Sequence, residues 1–448
     1  MSTRLLRGGV AAAAAALLAL AGCGGGGGNG SGSAPAPQLN LTGEKSGKLT
    51  IVTKFADPQY APYFVEITKA YQAANPKVTI DLQQVGDQPY KDKIRVLSAA
   101  NQLPDIYFSW AGDFANKFVR AGLAADLSSV IGPDTAWGKT FAPASLKAFS
   151  DSGKYYGMPI DLDGKYLVYN KTAFAKAGID NPPATFEDLL TDCGKLKAAG
   201  YTPIAFGNQY GWPAIHFITQ LNAYDVPGDQ LAKDYNPKTG AFTDQRYVTA
   251  LQQFKSLADT CSNSGANGLA HEAAQANLVS GKAAMQYMES LEFKVMTVAG
   301  GAPKETADNW SFMRLPPSSS AAGDTKALTG APDGFMVNAK SKQAALAVDF
   351  LKFFSNQENA SKMVKELGWL SPVSGSVTND NAFPQLVDTL KDMNEASQFA
   401  IWLDTVTQAT VADAYLSGVE GMLSGDKTPE QVMKGVQDAA AKAKKQVG

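Results

Sequence analysis

The sequence predicts an α/β protein, with mostly parallel sheet covered by helices. Three observations carry this expectation. From residue 48 onward, strand-like and helix-like segments alternate, the pattern that builds parallel sheets. Apolar residues make up 45% of the chain and charged residues 18%, a balance suited to buried cores rather than to disorder. With 448 residues the chain is long enough for two domains. The first strand is expected over 48–53. A helix follows over 62–74, closed by Asn75-Pro76 because proline cannot continue a helix. Strands over 78–82 and 105–109 flank a helix over 90–100. Phe55-Ala56-Asp57 and Trp110-Ala111-Gly112-Asp113 stand just past the carboxyl ends of two of these strands, where ligands of α/β sheets collect. Farther on, residues 185–199 read as a helix: Thr185 caps it, Glu187 and Asp188 suit its positive end, Leu189, Leu190 and Leu196 face inward, and Gly200 ends it. Residues 245–258 and 344–354 read the same way. A final helix begins at Thr428-Pro429-Glu430-Gln431, with a cap, a proline at the first helical position and acids or amides behind it.

The amino terminus has a different character. Arg4 and Arg7 precede an apolar run over 10–21, then Leu20-Ala21-Gly22-Cys23 and five glycines. A charged start and a short apolar stretch form a secretory signal. The run is too short for a permanent span, which needs ~20 residues. The four residues ending in Cys23 resemble a bacterial lipobox. That resemblance implies cleavage after Gly22, diacylglycerol on the Cys23 thiol and acylation of the new amino terminus, which together anchor stably. The expected layout is a signal peptide over 1–22 and a flexible Gly/Ser/Pro tether over 23–46. The protein is then expected on the outer face of the cell membrane, and the composition suits a Gram-positive bacterium.

Loss of Arg4 and Arg7 with the signal takes the formal charge from −2 to about −4. There is no stripe of Lys and Arg, so no nucleic-acid partner is expected. Cys193 and Cys261 remain as a pair in an oxidising compartment. A disulfide between them is the expectation, and two buried free thiols the alternative.

A series of short motifs then runs through the chain: Leu103-Pro104-Asp105-Ile106, Trp110 with Asp113, Gly157-Met158-Pro159, Leu167-Val168-Tyr169-Asn170-Lys171, Ala177-Gly178-Ile179, the stretch from Pro182 to Leu189, Gly281-Lys282-Ala283-Ala284-Met285, and residues 344–368. In this order and spacing the chain resembles the extracellular solute-binding proteins that feed carbohydrate ABC importers, the maltose-binding-protein group. The likeness covers nearly all of 48–448. It implies a two-lobed, periplasmic-binding-protein-like fold of type II with the ligand cleft between lobes. By that analogy, lobe 1 is 47–157 plus 309–355 and lobe 2 is 158–308 plus 356–448, with crossings near Met158, Trp310 and Asn356. It further implies a lipid-anchored, monomeric binding subunit, not an enzyme and without a cofactor. Such a subunit takes a mono- or short oligosaccharide and delivers it to the permease subunits in the membrane.

A sugar presents an apolar ring face and a rim of hydroxyls. Its site needs aromatic rings beside carboxylates, the stronger acceptors. Trp110 and Asp113 offer that combination at a strand end, and the family's matching aspartate meets sugar hydroxyls. Asp161 and Asp163 stand at the first expected crossing and, two apart on an extended chain, are expected to point the same way. Trp212, in Tyr210-Gly211-Trp212-Pro213, matches a Trp-Pro that lies beside sugar in the family. Glu289 stands where the family often has a tryptophan, which argues against a long stacked oligosaccharide along that wall. Asp57, Asp333 in a tight turn at Gly330–Gly334, Trp369 and Trp402 complete the candidate contacts.

Other chemistry is weaker. A glycosidase would use paired carboxylates such as Asp161/Asp163 or Glu289/Glu292, but nothing places a pair across a scissile bond. His271-Glu272-Ala273-Ala274-Gln275 misses the second histidine of a zinc-protease helix, so no metal is expected, and His216 is expected to be a satisfied, partly buried side chain. A binder of another neutral or cationic solute, a polyol or osmolyte, is the alternative function.

Overall fold

The computed structural model describes residues 37–447. The expected signal peptide, Cys23 and the tether up to residue 36 lie outside them. Nine strands form two sheets. They are β1 (Gly47–Thr53), β2 (Val78–Gln84), β3 (Ile106–Trp110), β4 (Gly157–Pro159), β5 (Lys165–Asn170), β6 (Thr202–Ile204), β7 (Ala283–Glu289), β8 (Trp310–Met313) and β9 (Asp333–Val337). The first sheet has the order β2-β1-β3-β9-β4 and the second β8-β5-β7-β6.

Every residue of β3 is buried, because helices cover both faces of the first sheet. Tyr63, Phe64, Ile67 and Tyr71 of helix Ala61–Ala74 share its core with Leu346, Phe350 and Phe354 of helix Ala344–Phe354. The second sheet has a core on each face: Leu167 belongs to one, Tyr166 and Val168 to the other, as the period of two requires. Cys193 of helix Phe186–Ala198 and Cys261 of helix Arg246–Cys261 are joined as a disulfide with Cα atoms 5.3 Å apart, fully buried. Closing a loop of 68 residues, it restricts the unfolded chain by about 4 kcal/mol in the entropic account. The expected caps form. Thr185 accepts from the Asp188 N–H, and Thr428 and Gln431 exchange side-chain and backbone hydrogen bonds.

Strand direction departs from expectation. In the first sheet β1 runs parallel to β2 and β3, but β9 is antiparallel to both β3 and β4. In the second, only β6 and β7 are parallel, while β5 opposes both β7 and β8. The sheets are therefore mixed rather than mostly parallel. The cause is the route of the chain. It returns from the second sheet at the carboxyl end of β3, where Asp333 pairs with Trp110, so β9 must run back along β3. Asp333 accordingly heads a strand and not a tight turn.

The passages between the sheets also differ from the expected limits. Trp310–Met313 pairs with β5 in the second sheet, so the return passage comes after this strand and not near Trp310. Helix Gln357–Leu367, assigned by analogy to lobe 2, buries Ala360, Met363 and Leu367 in the core of the first sheet. Two passages lie side by side. Ile160 N–H donates to Asp333 O at 2.7 Å, and Gly164 bridges Gly330 in antiparallel fashion. A third strand of chain joins them where Leu162 N–H donates to Leu370 O at 2.7 Å.

At Gly330 the contact leaves no room for a side chain. A Cβ there would fall 2.2 Å from Asp163 O. Gly330→Ala is expected to cost about 2 kcal/mol by overpacking, read by denaturant unfolding; a variant as stable as the parent would show that the passages can separate at no cost.

Candidate ligand-binding cleft

The cleft opens where the chain leaves the strand ends. Past β1, Asp57 Oδ1 accepts the Gln59 N–H at 3.0 Å and its carbonyl accepts the Tyr60 N–H, turning the chain into helix Ala61–Ala74. This turn sets Tyr60 against Trp369, ring centroids 5.0 Å apart. From the other half come Tyr210 and Trp212 at the start of helix Trp212–Asp225, His271, Glu272 and Gln275 on helix His271–Val279, and Glu289 at the end of β7. Together with Lys54, Asp57, Tyr60 and Asp87 they enclose a cleft of about 510 Å³. Lys54, Asp87, Trp212 and Glu289 also wall a deeper recess of about 60 Å³, with Lys91, Trp110, Asp163, His216, Asp333, Trp402, Asp404 and Thr405 around it.

Rings form a row along one wall. Trp402 stacks on His216 at 4.2 Å and 23°, His216 lies 5.0 Å from Trp212, and Trp212 lies 4.7 Å from His271. Lysines occupy ring faces: Lys54 and Lys91 sit 5.0 and 5.2 Å from the centre of Trp110, and Lys165 4.6 Å from that of Trp212.

Charges are paired across short gaps. Lys54 Nζ is 3.1 Å from Asp333 Oδ2 and 3.5 Å from Asp87 Oδ1; Lys165 Nζ is 3.4 Å from Glu289 Oε1. Burial works against the Lys54 charge, but Asp333, Asp87 and Glu289 override it and raise its pKa. Burial pushes the Asp333 carboxyl up to about 6, with Lys54 pulling the other way. Asp163 is raised by burial and then by Glu289, and Asp161 by burial and then by Asp333. Asp404 is raised by burial against Lys91, and burial holds His216 well below the ordinary imidazole range. Glu292 behaves oppositely. Its burial would raise it, but His271 at 2.7 Å and Lys165 bring it down to about 2. Glu292 also accepts from Gln275 and from the Glu289 N–H, so it fixes the ring row and the cleft carboxylate at once.

Of the residues singled out from sequence, Asp57 lines the wide cleft, Trp110, Asp163, Asp333 and Trp402 the recess, and Trp212 and Glu289 both. Three do not reach it. Asp113 heads helix Asp113–Arg120, and its two oxygens are taken by Arg120 at 2.6 and 3.1 Å. Asp161 is fully buried and accepts the Asp333 N–H at 2.9 Å. Trp369 is fully buried behind Phe55 and Tyr60. Asp161 and Asp163 take different partners, the Asp333 N–H and the Ser290 hydroxyl at 2.8 Å. His216 is more deeply buried than expected and is not satisfied, since Nδ1 has no hydrogen-bond partner. Lys54, Lys91, Asp87, Tyr60 and Asp404 were not singled out from sequence, and His271 and Glu292 were weighed there only for metal and hydrolytic chemistry. The signal available was proximity in sequence: Lys54 precedes Phe55, Asp404 follows Trp402, and Glu292 follows Glu289.

Among the described residues no group of three or more His, Cys, Asp and Glu side chains is placed to hold a metal ion, and no helix is long and apolar enough to cross a membrane. Residues 57–361 match the sequence model of the bacterial extracellular solute-binding proteins. The chain belongs to this family. A binding protein of Brucella abortus (strain 2308) is 26% identical over 410 residues, covering 89% of this chain and 93% of the relative. The maltotriose-binding protein of Pyrococcus abyssi is 30% identical over 183 residues, which is 40% of this chain and 35% of that one. A structure determined in work on xylan utilization by Caldanaerobius polysaccharolyticus superposes with a TM-score of 0.80 at 25% identity, covering 87% of this chain and 99% of the other. These likenesses agree with the mixed α/β architecture and the type II fold of solute-binding proteins.

The Glu292 shift gives a signed expectation. A depressed carboxyl contributes stability above its ordinary pKa and loses it as pH falls through the folded value, so the window runs from about 4.5 down to about 2. Glu292→Gln should cost about 3 kcal/mol at pH 7, and the gap to the parent should close by pH 2. Denaturant unfolding at pH 7, 4 and 2 measures it; a gap independent of pH would mean that the His271 pair contributes nothing.

Proposed function

We propose that this solute-binding protein is the receptor subunit of a carbohydrate ABC importer, anchored by lipid on Cys23. It captures a mono- or short oligosaccharide between two lobes and hands it to the permease. The observation that carries the reading is the 510 Å³ cleft between the two sheet ends, where the rings of Tyr60, Tyr210 and Trp212 stand beside Asp57, Glu272 and Glu289. Rings receive the apolar face of a sugar, and carboxylates accept its hydroxyls. The volume lies in the ordinary range of small-molecule sites. The maltotriose-binding relative and the structure from xylan utilization support a saccharide ligand. The anchor rests on Leu20-Ala21-Gly22-Cys23.

Ligand contacts from both walls would favour the closed arrangement by binding it better than the open one. The two lobes are then the bodies around the two sheets, and the paired passages at 160–164 and 330–333 are the hinge. The function is capture and release, with no bond made or broken. A cationic solute is the second reading, because five carboxylates face one lysine in the wide cleft.

Calorimetry with galactose, maltose, maltotriose, cellobiose, N,N′-diacetylchitobiose and choline separates these readings. A saccharide should bind, and Trp212→Ala should weaken it at least about 30-fold through loss of a central ring. Asp113→Asn, away from the lining, should stay within about threefold. Heat from choline alone, or Trp212→Ala binding as the parent does, would overturn the assignment.

A further inference from the structure

The recess behind the wide cleft holds polar atoms that the protein leaves without partners. Asp404 Oδ1 and His216 Nδ1 have no hydrogen bond, although each side chain is more than nine-tenths buried, whereas Asp333 Oδ2 beside them is paired with Lys54 Nζ at 3.1 Å. Their neighbours come close without satisfying them. His216 Nε2 is 3.9 Å from Asp404 Oδ1, beyond hydrogen-bond range. His216 Nδ1 is 3.4 Å from Glu289 Oε1, and Lys91 Nζ is 3.8 Å from the other oxygen of Asp404. Buried polar groups in native proteins are nearly always paired, so two orphans around one opening mark a place prepared for a guest. The recess, about 60 Å³ against about 510 Å³ for the wide cleft, is the narrow end of the site.

Resting on the saccharide reading of the same cleft, we propose that this recess is an end-group pocket in which His216 and Asp404 bind the terminal hydroxymethyl of the sugar and set the specificity of the site. The chemistry fits an uncharged donor. Asp404 Oδ1 accepts the hydroxyl proton, and a His216 nitrogen exchanges a hydrogen bond with the same oxygen. Trp402, stacked flat on His216, offers an apolar surface to the methylene. A phosphate in that position would meet five carboxylates against two lysines, so phosphorylated sugars are excluded by charge. With the side group at the narrow end, the ligand is held by one end and the rest of it occupies the wide cleft, which shares Trp212 and Glu289 with the recess.

The test compares ligands that differ at the hydroxymethyl: cellobiose with xylobiose, maltose with 6′-deoxymaltose, and galactose with 6-deoxygalactose. The parent should bind the hydroxymethyl-bearing partner of its preferred pair at least about tenfold more tightly, the cost of leaving buried polar groups unpaired. His216→Phe keeps the ring stack and removes the nitrogens; Asp404→Asn keeps the shape. In each variant the affinity ratio should fall to within about threefold, with melting temperatures reporting that the fold is retained. Ratios equal to that of the parent in both variants, or a parent that does not distinguish the pair, would overturn the pocket while leaving saccharide binding intact. Absence of heat with every sugar would remove the saccharide reading itself, and the pocket with it.

Discussion

Two stretches of backbone pass each other at Gly164 and Gly330, and the geometry of the cleft depends on how closely they do so. A Cβ on Gly330 would collide with the neighbouring backbone, and one on Gly164 would press on the side chains of Met393, Leu328 and Tyr166. This contact seats β9 at the end of β3 and Asp333 against Lys54. Asp161 and Asp163 extend the constraint to both sides. Asp161 holds the Asp333 N–H on the first sheet, and Asp163 holds the Ser290 hydroxyl beyond the end of β7. Both carboxylates were expected to serve a ligand. One oxygen of each instead serves the passage, and these bonds offset part of the cost of burial to the charged form.

Glycines at the passage also bear on motion. Each sheet keeps its own core on either side of the passages, so a change of φ and ψ confined to them would leave both cores intact. The third stretch, at Leu370, pairs with Leu162 and ties the same place a second time. As the proposed hinge, so narrow a passage would confine movement to rotation about one line and bring Tyr60 on one wall toward Glu289 and Glu292 on the other. The Tyr60 hydroxyl already feels those carboxylates: burial and then Glu292 raise its pKa.

Much of the scaffold was legible from sequence because local rules agree with the tertiary outcome. The caps at Thr185 and Thr428, the cysteine pair and the alternation of strand and helix are short-range features, and each formed as the residues dictate. Strand direction was not legible, since β9 and β5 owe theirs to long-range returns of the chain. The site shows the same division. Asp57 and Trp110 lie at strand ends, and position alone brought them to the cleft. Asp113 lies three residues beyond Trp110, but Gly112, at φ of 88°, turns the chain so that the carboxylate meets Arg120. Lys54 and Lys91 could not be read as site residues, because nothing in the sequence shows that their ammonium groups lie over Trp110.

Those lysines change what the cleft can recognise. A wall of carboxylates and rings alone would select for positive charge. With Lys54 and Lys91 on the faces of Trp110 and Lys165 on that of Trp212, the carboxylates of the recess are partly neutralised from within, and burial raises Asp163, Asp333 and Asp404 further toward the protonated form. The deep end is thus less anionic than its composition, while the outer cleft keeps Asp57, Glu272 and Glu289 beside a single lysine. A ligand with many hydroxyls and no charge suits both ends, donating to the outer carboxylates and burying its least polar edge against Trp402 and Trp212. A fully cationic ligand suits only the outer part, and an anion neither. The gradient of charge along the cleft, more than any one residue, favours a neutral polyhydroxylated guest.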